Sequence, residues 1–255
     1  MKGRKIVSAG LAVVLLGAVV DLGTAMHAEH AISTQVQSTA NLETPPSVYV
    51  GGMPYLAAAV TKEIPLVEVH STDVEVPVLG LVNASTTLRD VTVEPQQVLS
   101  GQLAGAQAST LSRSISLDGV ALGRLLDMTD LDIAHPKNIS PGGGTSAEAT
   151  LTGTIAGDTE PTTVEVDLRL VGERFYMRPT DAPDERAREA FSLSLDTRKL
   201  PLPGQATKVS LRGGTISFEV QRRDIPLHLG LLSPLEIDGE FDSNGKQAGA
   251  GTAAG

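Results

Sequence analysis

The hydrophobic pattern begins with an apolar N-terminal segment. Residues 6–20 carry no charge and follow basic residues at positions 2, 4 and 5. Continued through Asp21 to residue 26, the segment reaches about the length that spans a bilayer. The basic end stays in the cytoplasm, so the rest of the chain is placed outside. The pattern predicts a cytoplasmic stub over 1–5 and a single transmembrane anchor over 6–26.

A cleaved signal peptide is the alternative interpretation of this segment. Gly23, Thr24 and Ala25 are small residues at a spacing that suits signal cleavage, although they are not the preferred Ala-x-Ala. We favour the uncleaved anchor in the cell membrane. In both cases the domain lies on the extracytoplasmic, periplasmic side, and cleavage near Ala25 would release it as a secreted protein.

Beyond residue 60 the dominant hydrophobic period is two, which is typical of strands with one apolar face. The apolar phase is odd at Val67 and Val69 and even at Val74 and Val76. A strand cannot keep one core face through such a slip without a bulge or a turn, so we predict a bulged, strongly curved strand. A second slip follows Leu88. Further strands are predicted at 111–117, 164–170, 191–195 and 209–220.

One short element differs from this strand pattern. A strand at Val48 passes through Gly51 and Gly52 into Met53–Val60, which is almost wholly apolar. Pro54 suits the first position of a helix, and Pro65 prevents its continuation. A helix without a polar face must be buried on all sides or lie against another apolar phase. The two possible partners are the protein core and a lipid chain.

Three other helices are predicted. A weakly amphipathic one covers Glu29–Leu42, Asp118 caps a second, and Pro183–Ala190 forms a third. Loops are marked by glycine and proline at 141–144, 158–161 and 201–204, and the glycine- and alanine-rich run 242–255 is predicted to be a disordered tail.

Together these elements predict an α+β domain over 27–241. A long, curled and bulged antiparallel sheet wraps a few apolar helices, and a membrane helix precedes it. An apolar sheet face has to be covered. Periodicity leaves two solutions equally open: a fully packed interior, or an apolar slot.

Composition narrows the possible functions. Without Lys2, Arg4, Lys5 and Asp21 the chain has 17 basic and 29 acidic residues, so the exported part carries a charge of −12. This charge argues against nucleic acid as a partner and against binding of anionic lipid by a cluster of basic residues. The chain has no cysteine and therefore no disulfide.

The sequence contains no recognisable catalytic motif and predicts no enzyme and no cofactor. A nucleophile elbow, a zinc-binding His-Glu-x-x-His and a phosphate-binding loop are all absent. His27 and His30 flank Glu29, but three groups without a fourth ligand fit a solvated helix face better than a metal site. The chain has seven aromatic residues and no tryptophan, which argues against a groove in which sugar rings stack on aromatic side chains.

The run Val48-Tyr49-Val50-Gly51-Gly52-Met53-Pro54-Tyr55-Leu56, with the alternating Leu66–Val69, resembles the signature of the LmeA-like phospholipid-binding domain of actinobacterial cell envelopes. The likeness extends to Ser116–Leu122, to Leu131–Pro136 and more loosely to Gly213-Gly214, and covers roughly 26–240. The chain departs from the family pattern at Met53, where Phe is commoner, and at Ala57-Ala58, where Thr-Gln is commoner.

The resemblance implies a tubular lipid-binding fold with a slot for acyl chains, and a non-catalytic protein that supports synthesis or maintenance of lipid-linked mannans (lipomannan). Phospholipid and the membrane are then the partners. The residues predicted to contact lipid are Met53, Tyr55, Leu56, Val60, Leu122, Leu125 and Leu126. The alternative hypothesis is an interaction module with a dry core that stabilises a membrane glycosyltransferase of the envelope.

Overall fold

The computed structural model describes residues 2–76, 79–136 and 143–235 of the 255-residue chain. The predicted tail 242–255 and the first half of the glycine loop at 141–144, residues 141 and 142, lie outside the described residues.

The helices of the described chain include one long element and several short ones. The α-helices are α1 Lys2–Ala40, α2 Ala58–Thr61, α3 Pro95–Ser100, α4 Gly119–Leu126, α5 Glu185–Ala190 and α6 Leu229–Leu232. Two 3-10 helices cover Tyr55–Ala57 and Thr197–Lys199. The N-terminal segment and the predicted helix at Glu29–Leu42 are thus parts of one continuous helix.

The strands form two antiparallel sheets. The first has the order β1-β2-β3-β4-β11-β10, and the second has the order β5-β6-β7-β8-β9. The strands are β1 Ser47–Gly51, β2 Glu63–Val76, β3 Gly80–Thr92, β4 Gln107–Leu117, β5 Asp132–Ala134, β6 Ser146–Gly153, β7 Thr162–Val171, β8 Arg174–Pro179, β9 Leu193–Asp196, β10 Lys208–Arg212 and β11 Thr215–Pro226. The predicted α+β class with antiparallel strands is confirmed, and neither sheet closes into a barrel.

Both predicted slips of phase occur inside continuous strands. In β2 the buried positions change from Val67 and Val69 to Val76, and Asp73 between them has a φ of 54°. In β3 the change follows Leu88, at Asp90 with a φ of 50°. Aspartate tolerates this left-handed conformation better than most residues do. A bulge with such a residue re-aims the next side chains toward the core.

The chain separates into two compact units. The first comprises residues 1–70, 86–111 and 222–233. In it α1 packs against β1, the 3-10 turn at Tyr55–Ala57, α3 and α6. Ala28, Ile32 and Val36 are buried, each at most 1% exposed, because residues four apart share one face of a helix.

Of the described residues, the second unit comprises 71–76, 79–85, 112–136, 143–221 and 234–235. Its core is formed by alternate residues of the strands, such as Leu151 on β6 opposite Val164 on β7. Phe175 and Phe218 meet edge to face in this core, with ring centroids 4.8 Å apart. Helix α4 packs its apolar face on the same core.

Candidate functional site

The apolar turn, which we define as residues Gly52–Thr61, connects β1 to β2. Gly52 has a φ of +112°, and a Cβ atom there would lie 3.2 Å from Cδ of Pro65, so glycine suits this position. The helical part starts at Tyr55 as a 3-10 turn and continues as α2. It ends at Lys62, whose left-handed backbone lets its N–H donate to the carbonyl of Ala58.

The predicted start of this element is wrong by one residue. Pro54 has an extended ψ of 143° and stands outside the first turn, as the residue that caps it. The fixed φ of proline suits both the first helical position and the capping position before it. The prediction rested on φ and could not distinguish the two positions.

The apolar turn is not buried on all sides. Tyr55 and Ala58 face the protein, with 2% and 6% of their surface exposed, whereas Met53 and Val60 are 88% and 85% exposed. Leu56 is half-buried. Of the two alternatives that the sequence left open for this element, complete burial in the protein is therefore wrong. One face remains apolar and open.

A carboxylate from α1 holds the start of the turn. Asp21 accepts hydrogen bonds from the backbone N–H groups of Tyr55 at 2.9 Å and of Leu56 at 2.7 Å, one to each carboxylate oxygen. Asp21 itself is 9% exposed. The first N–H groups of a helical turn have no partners within it, and a negative charge there is favourable. Asp21 thus fixes the turn against α1.

Tyr55 is held at both ends. Its backbone N–H donates to Asp21, and its hydroxyl donates to the carbonyl oxygen of Val98 at 2.8 Å. Burial, and to a smaller extent the negative charge of Glu29, raise the pKa of Tyr55 to about 12. The contacts of this predicted lipid-contacting residue are therefore made within the protein.

Two further hydrogen bonds join α1 to the segment before the turn. The hydroxyl of Ser33 donates to the carbonyl of Pro46 at 2.6 Å, and Glu29 accepts from the backbone N–H of Val50 at 3.0 Å. The sequence interpretation placed Glu29 on a solvated helix face between His27 and His30. The structure corrects that interpretation for Glu29, because the carboxylate binds the backbone of β1.

The second group of predicted residues lies on α4. Asp118 caps this helix as predicted, since its carboxylate accepts from the N–H of Ala121 at 2.8 Å. Leu122 is 1% exposed in the core of the second unit, and Leu125 and Leu126 are partly buried against that core. Met53, Tyr55, Leu56 and Val60 belong to the first unit, so the two groups of predicted site residues are in different units.

Sequence reasoning missed a groove on the second unit. It has a volume of about 1080 Å³ and is open to solvent, and it runs beside β8, β9 and α5. Its lining mixes Arg178 and Arg188 with Glu185 and Glu189. Arg178 lies 5.1 Å from the ring centre of Tyr176, and Arg188 pairs with Glu185 at 3.5 Å. No sequence motif marks this groove, because it is formed by elements whose contacts arise only in the fold.

Polar groups with shifted pKa values have structural explanations. A hydrogen bond from Arg198 lowers the pKa of Asp196 to about 2, and both groups lie on the surface of the second unit. A hydrogen bond from Thr154 lowers the pKa of Asp130. Within the described ranges, no group of three or more histidine, cysteine, aspartate or glutamate residues could hold a metal ion.

Comparison with known protein families gives a match over most of the chain. The family model for LmeA-like phospholipid-binding proteins matches residues 19–221, which include Asp21, the apolar turn and α4. The chain therefore belongs to this family. No curated protein and no solved structure matches it.

Proposed function

We propose, from this family membership, that the protein is a non-catalytic phospholipid-binding protein of the cell envelope, anchored in the membrane by α1. The observation that carries the proposal is the family match over 19–221. The open apolar face of the turn is consistent with it, because Met53 and Val60 offer contact area to a hydrocarbon phase.

The binding energy would come from burial of acyl chains. Each methylene group that leaves water contributes about 0.8 kcal/mol, so a dozen contribute roughly 10 kcal/mol before entropic costs. Met53, Leu56 and Val60 are the proposed contacts in the first unit. Leu125 and Leu126, which are partly buried, are the proposed lipid wall of the second unit, and Leu122 belongs to the core on which they pack. Tyr55 would support the turn from behind.

The anchor is part of the proposal. Helix α1 is long and apolar enough to cross a membrane, a property that also fits a signal sequence. Asp21 lies before the predicted cleavage position near Ala25, and it binds Tyr55 and Leu56. Cleavage there would remove this support of the turn, which favours the uncleaved anchor. The remainder of the chain is proposed to lie on the periplasmic side, from the charge order of the N-terminal segment.

Native mass spectrometry of the full chain, followed by extraction of bound lipid, tests the proposal. We expect stoichiometric phospholipid on the natural protein and its loss from the Val60→Asp variant. That variant should stay folded, because Val60 is 85% exposed. Val171→Asp is the matched control, since Val171 is 63% exposed on β7. An empty natural protein that also takes up no added lipid would overturn the proposal.

A role in synthesis or maintenance of lipid-linked mannans is the finer form of the proposal, and it rests on the family resemblance. Deletion of the protein should then lower the amount or length of these mannans, and restoration of the Val60→Asp variant should not rescue them. An empty protein whose deletion still alters the mannans would favour the interaction module that stabilises a glycosyltransferase.

A further inference from the structure

The contacts between α1 and the following chain fix the position of the apolar turn along the helix. Ser33 binds Pro46, Glu29 binds Val50, and Asp21 binds Leu56. The chain from residue 46 to residue 56 therefore runs back along α1 toward its apolar end. Ser33 and Asp21 are separated by about 18 Å of helix, at a rise of 1.5 Å per residue. The turn lies at the level of Asp21.

A bilayer that holds α1 would end near Asp21. A span of about 20 residues that starts at residue 6 reaches residue 25. Around Asp21 the helix surface is apolar and open, with Val20, Leu22 and Met26 between 54% and 66% exposed. A membrane that covers these side chains has its outer boundary about one and a half helical turns beyond Asp21.

The surroundings of Asp21 fit that position. A carboxylate within a membrane segment is costly unless it is paired or hydrogen-bonded. Here both oxygens accept backbone hydrogen bonds, from Tyr55 and from Leu56. The protein backbone thus provides the hydrogen-bond donors that water provides to a carboxylate outside the membrane.

The open face of the turn is apolar at the same level. Met53 and Val60 are the most exposed apolar side chains in the described part of the first unit beyond α1, at 88% and 85%. We propose that the acyl chains which Met53, Leu56 and Val60 contact belong to the outer leaflet of the bilayer that holds α1, and that these side chains insert there. The turn is then a second membrane contact of the first unit, beside the helix. This inference rests on the uncleaved anchor of the proposed function.

Charge agrees with a contact made by apolar side chains. The exported part carries −12, so general electrostatic attraction to anionic lipid does not hold this surface on the membrane. The lysine nearest to the turn, Lys62, pairs with Glu94 at 3.5 Å. Burial of apolar area remains as the force that keeps the turn at the membrane.

Tryptophan fluorescence tests the inference, because the natural chain contains no tryptophan. Met53→Trp and Val60→Trp are introduced separately into the full chain, in vesicles of phosphatidylcholine with brominated or ordinary acyl chains. Tyr49→Trp is the control. Tyr49 is 53% exposed and precedes Val50, which is bound to Glu29, about 12 Å of helix above Asp21.

Bromine quenches tryptophan on contact. We expect brominated lipid to cause a loss of emission from Trp at positions 53 and 60, with emission shifted to shorter wavelength, and little loss at position 49. Equal emission in both lipids at positions 53 and 60 would overturn the inference, as would equal quenching at all three positions.

The mass of the intact chain separates this inference from the proposed function. A chain cleaved near Ala25 would overturn both the anchor and the inserted turn. An intact chain that carries phospholipid but shows no quenching at positions 53 and 60 would overturn the inserted turn alone.

Discussion

Asp21 gives α1 a role in the fold, in addition to the membrane anchor proposed for it. Its carboxylate closes the N-terminal end of the apolar turn through two backbone hydrogen bonds. We expect Asp21→Ala to lower the free energy of unfolding by about 1–3 kcal/mol, the usual cost of a lost cap with charged hydrogen bonds. Urea unfolding of the full chain in detergent, followed by circular dichroism, measures this.

Thr24→Ala is the matched control for that variant. Thr24 is on the same helix, is partly exposed and donates only to the carbonyl of Val20, 2.9 Å away in the same helix. Its loss should change the urea midpoint little. An Asp21→Ala variant as stable as Thr24→Ala would show that the cap does not support the turn.

Tyr55 makes stability depend on pH in the alkaline range. Its pKa is about 12 in the folded protein, against 10 for a free tyrosine, because of burial first and the charge of Glu29 second. Between these values the unfolded chain loses the phenolic proton while the folded chain keeps it. The contribution of Tyr55 is therefore fully present below pH 10 and is lost as the pH rises toward 12.

The Tyr55→Phe variant isolates this effect from other groups that titrate at high pH. It should be less stable by about 1 kcal/mol at neutral pH, because the carbonyl of Val98 loses its donor. Its deficit relative to the natural chain should then shrink between pH 10 and 12. Urea midpoints at several pH values measure this, and parallel pH profiles would contradict the role assigned to burial.

At the scale of elements, α1 and the end of α3 approach each other closely. Gly101 ends α3 with a φ of +69°, and a Cβ atom there would lie 2.8 Å from Cα of Ala28 on α1. Gly105 also has a positive φ, of +83°, but a Cβ atom on it would meet nothing within 4 Å. Substitution of each glycine by alanine therefore separates the cost of backbone strain, which both positions share, from the cost of the close approach, which only Gly101 has.

We expect Gly101→Ala to destabilise the protein more than Gly105→Ala does. Both variants carry the strain of a left-handed alanine, about 1 kcal/mol. Only the first also pushes α3 and α1 apart, which adds about 1–3 kcal/mol as overpacking does. Differential scanning calorimetry of both variants measures the difference, and equal melting temperatures would refute the close packing of α1 on α3.

Local patterns were enough to predict much of the architecture. The cap at Asp118, the strand slips near Asp73 and Asp90, and the apolar turn all depend on residues close in sequence. The bond from Asp21 to Leu56 joins residues 35 positions apart and could not be predicted in this way. Its sequence signal is a single aspartate in an otherwise apolar segment, which needs a partner if it lies in or near a membrane.

The exposure of the turn also depended on distant contacts. An apolar run of this length is compatible with a buried element and with a lipid-facing one. Which side chains are buried depends on how the turn packs against α1 and α3, and these helices are distant from it in sequence. The predicted lipid-contacting residues Tyr55 and Leu122 have protein neighbours on all sides, at 2% and 1% exposure. Met53 and Val60, on the same short turn as Tyr55, face outward.

At the scale of the whole molecule, charge and apolar surface would determine how the protein makes the proposed membrane contact. Residues 27–255 carry a charge of −12, and the apolar turn contributes uncharged side chains at its open face. Salt screens interactions between exposed charges and leaves apolar burial largely unaffected. A contact held by basic side chains would weaken as salt rises, whereas a contact held by Met53 and Val60 would not.

We therefore expect quenching of Trp at position 53 by brominated phosphatidylcholine to persist when salt rises from about 0.05 to about 0.5 M, over which the Debye length falls several-fold. Replacement of part of the lipid by anionic phosphatidylglycerol should weaken the contact at low salt, because residues 27–255 carry a net negative charge, and added salt should restore the contact. Quenching that requires anionic lipid and disappears with salt would mean that a basic surface, and not the apolar turn, makes the contact. With α1 as the proposed anchor, the turn stays beside the bilayer in either case, so the salt response reports the force at the turn itself and not the affinity of the anchor.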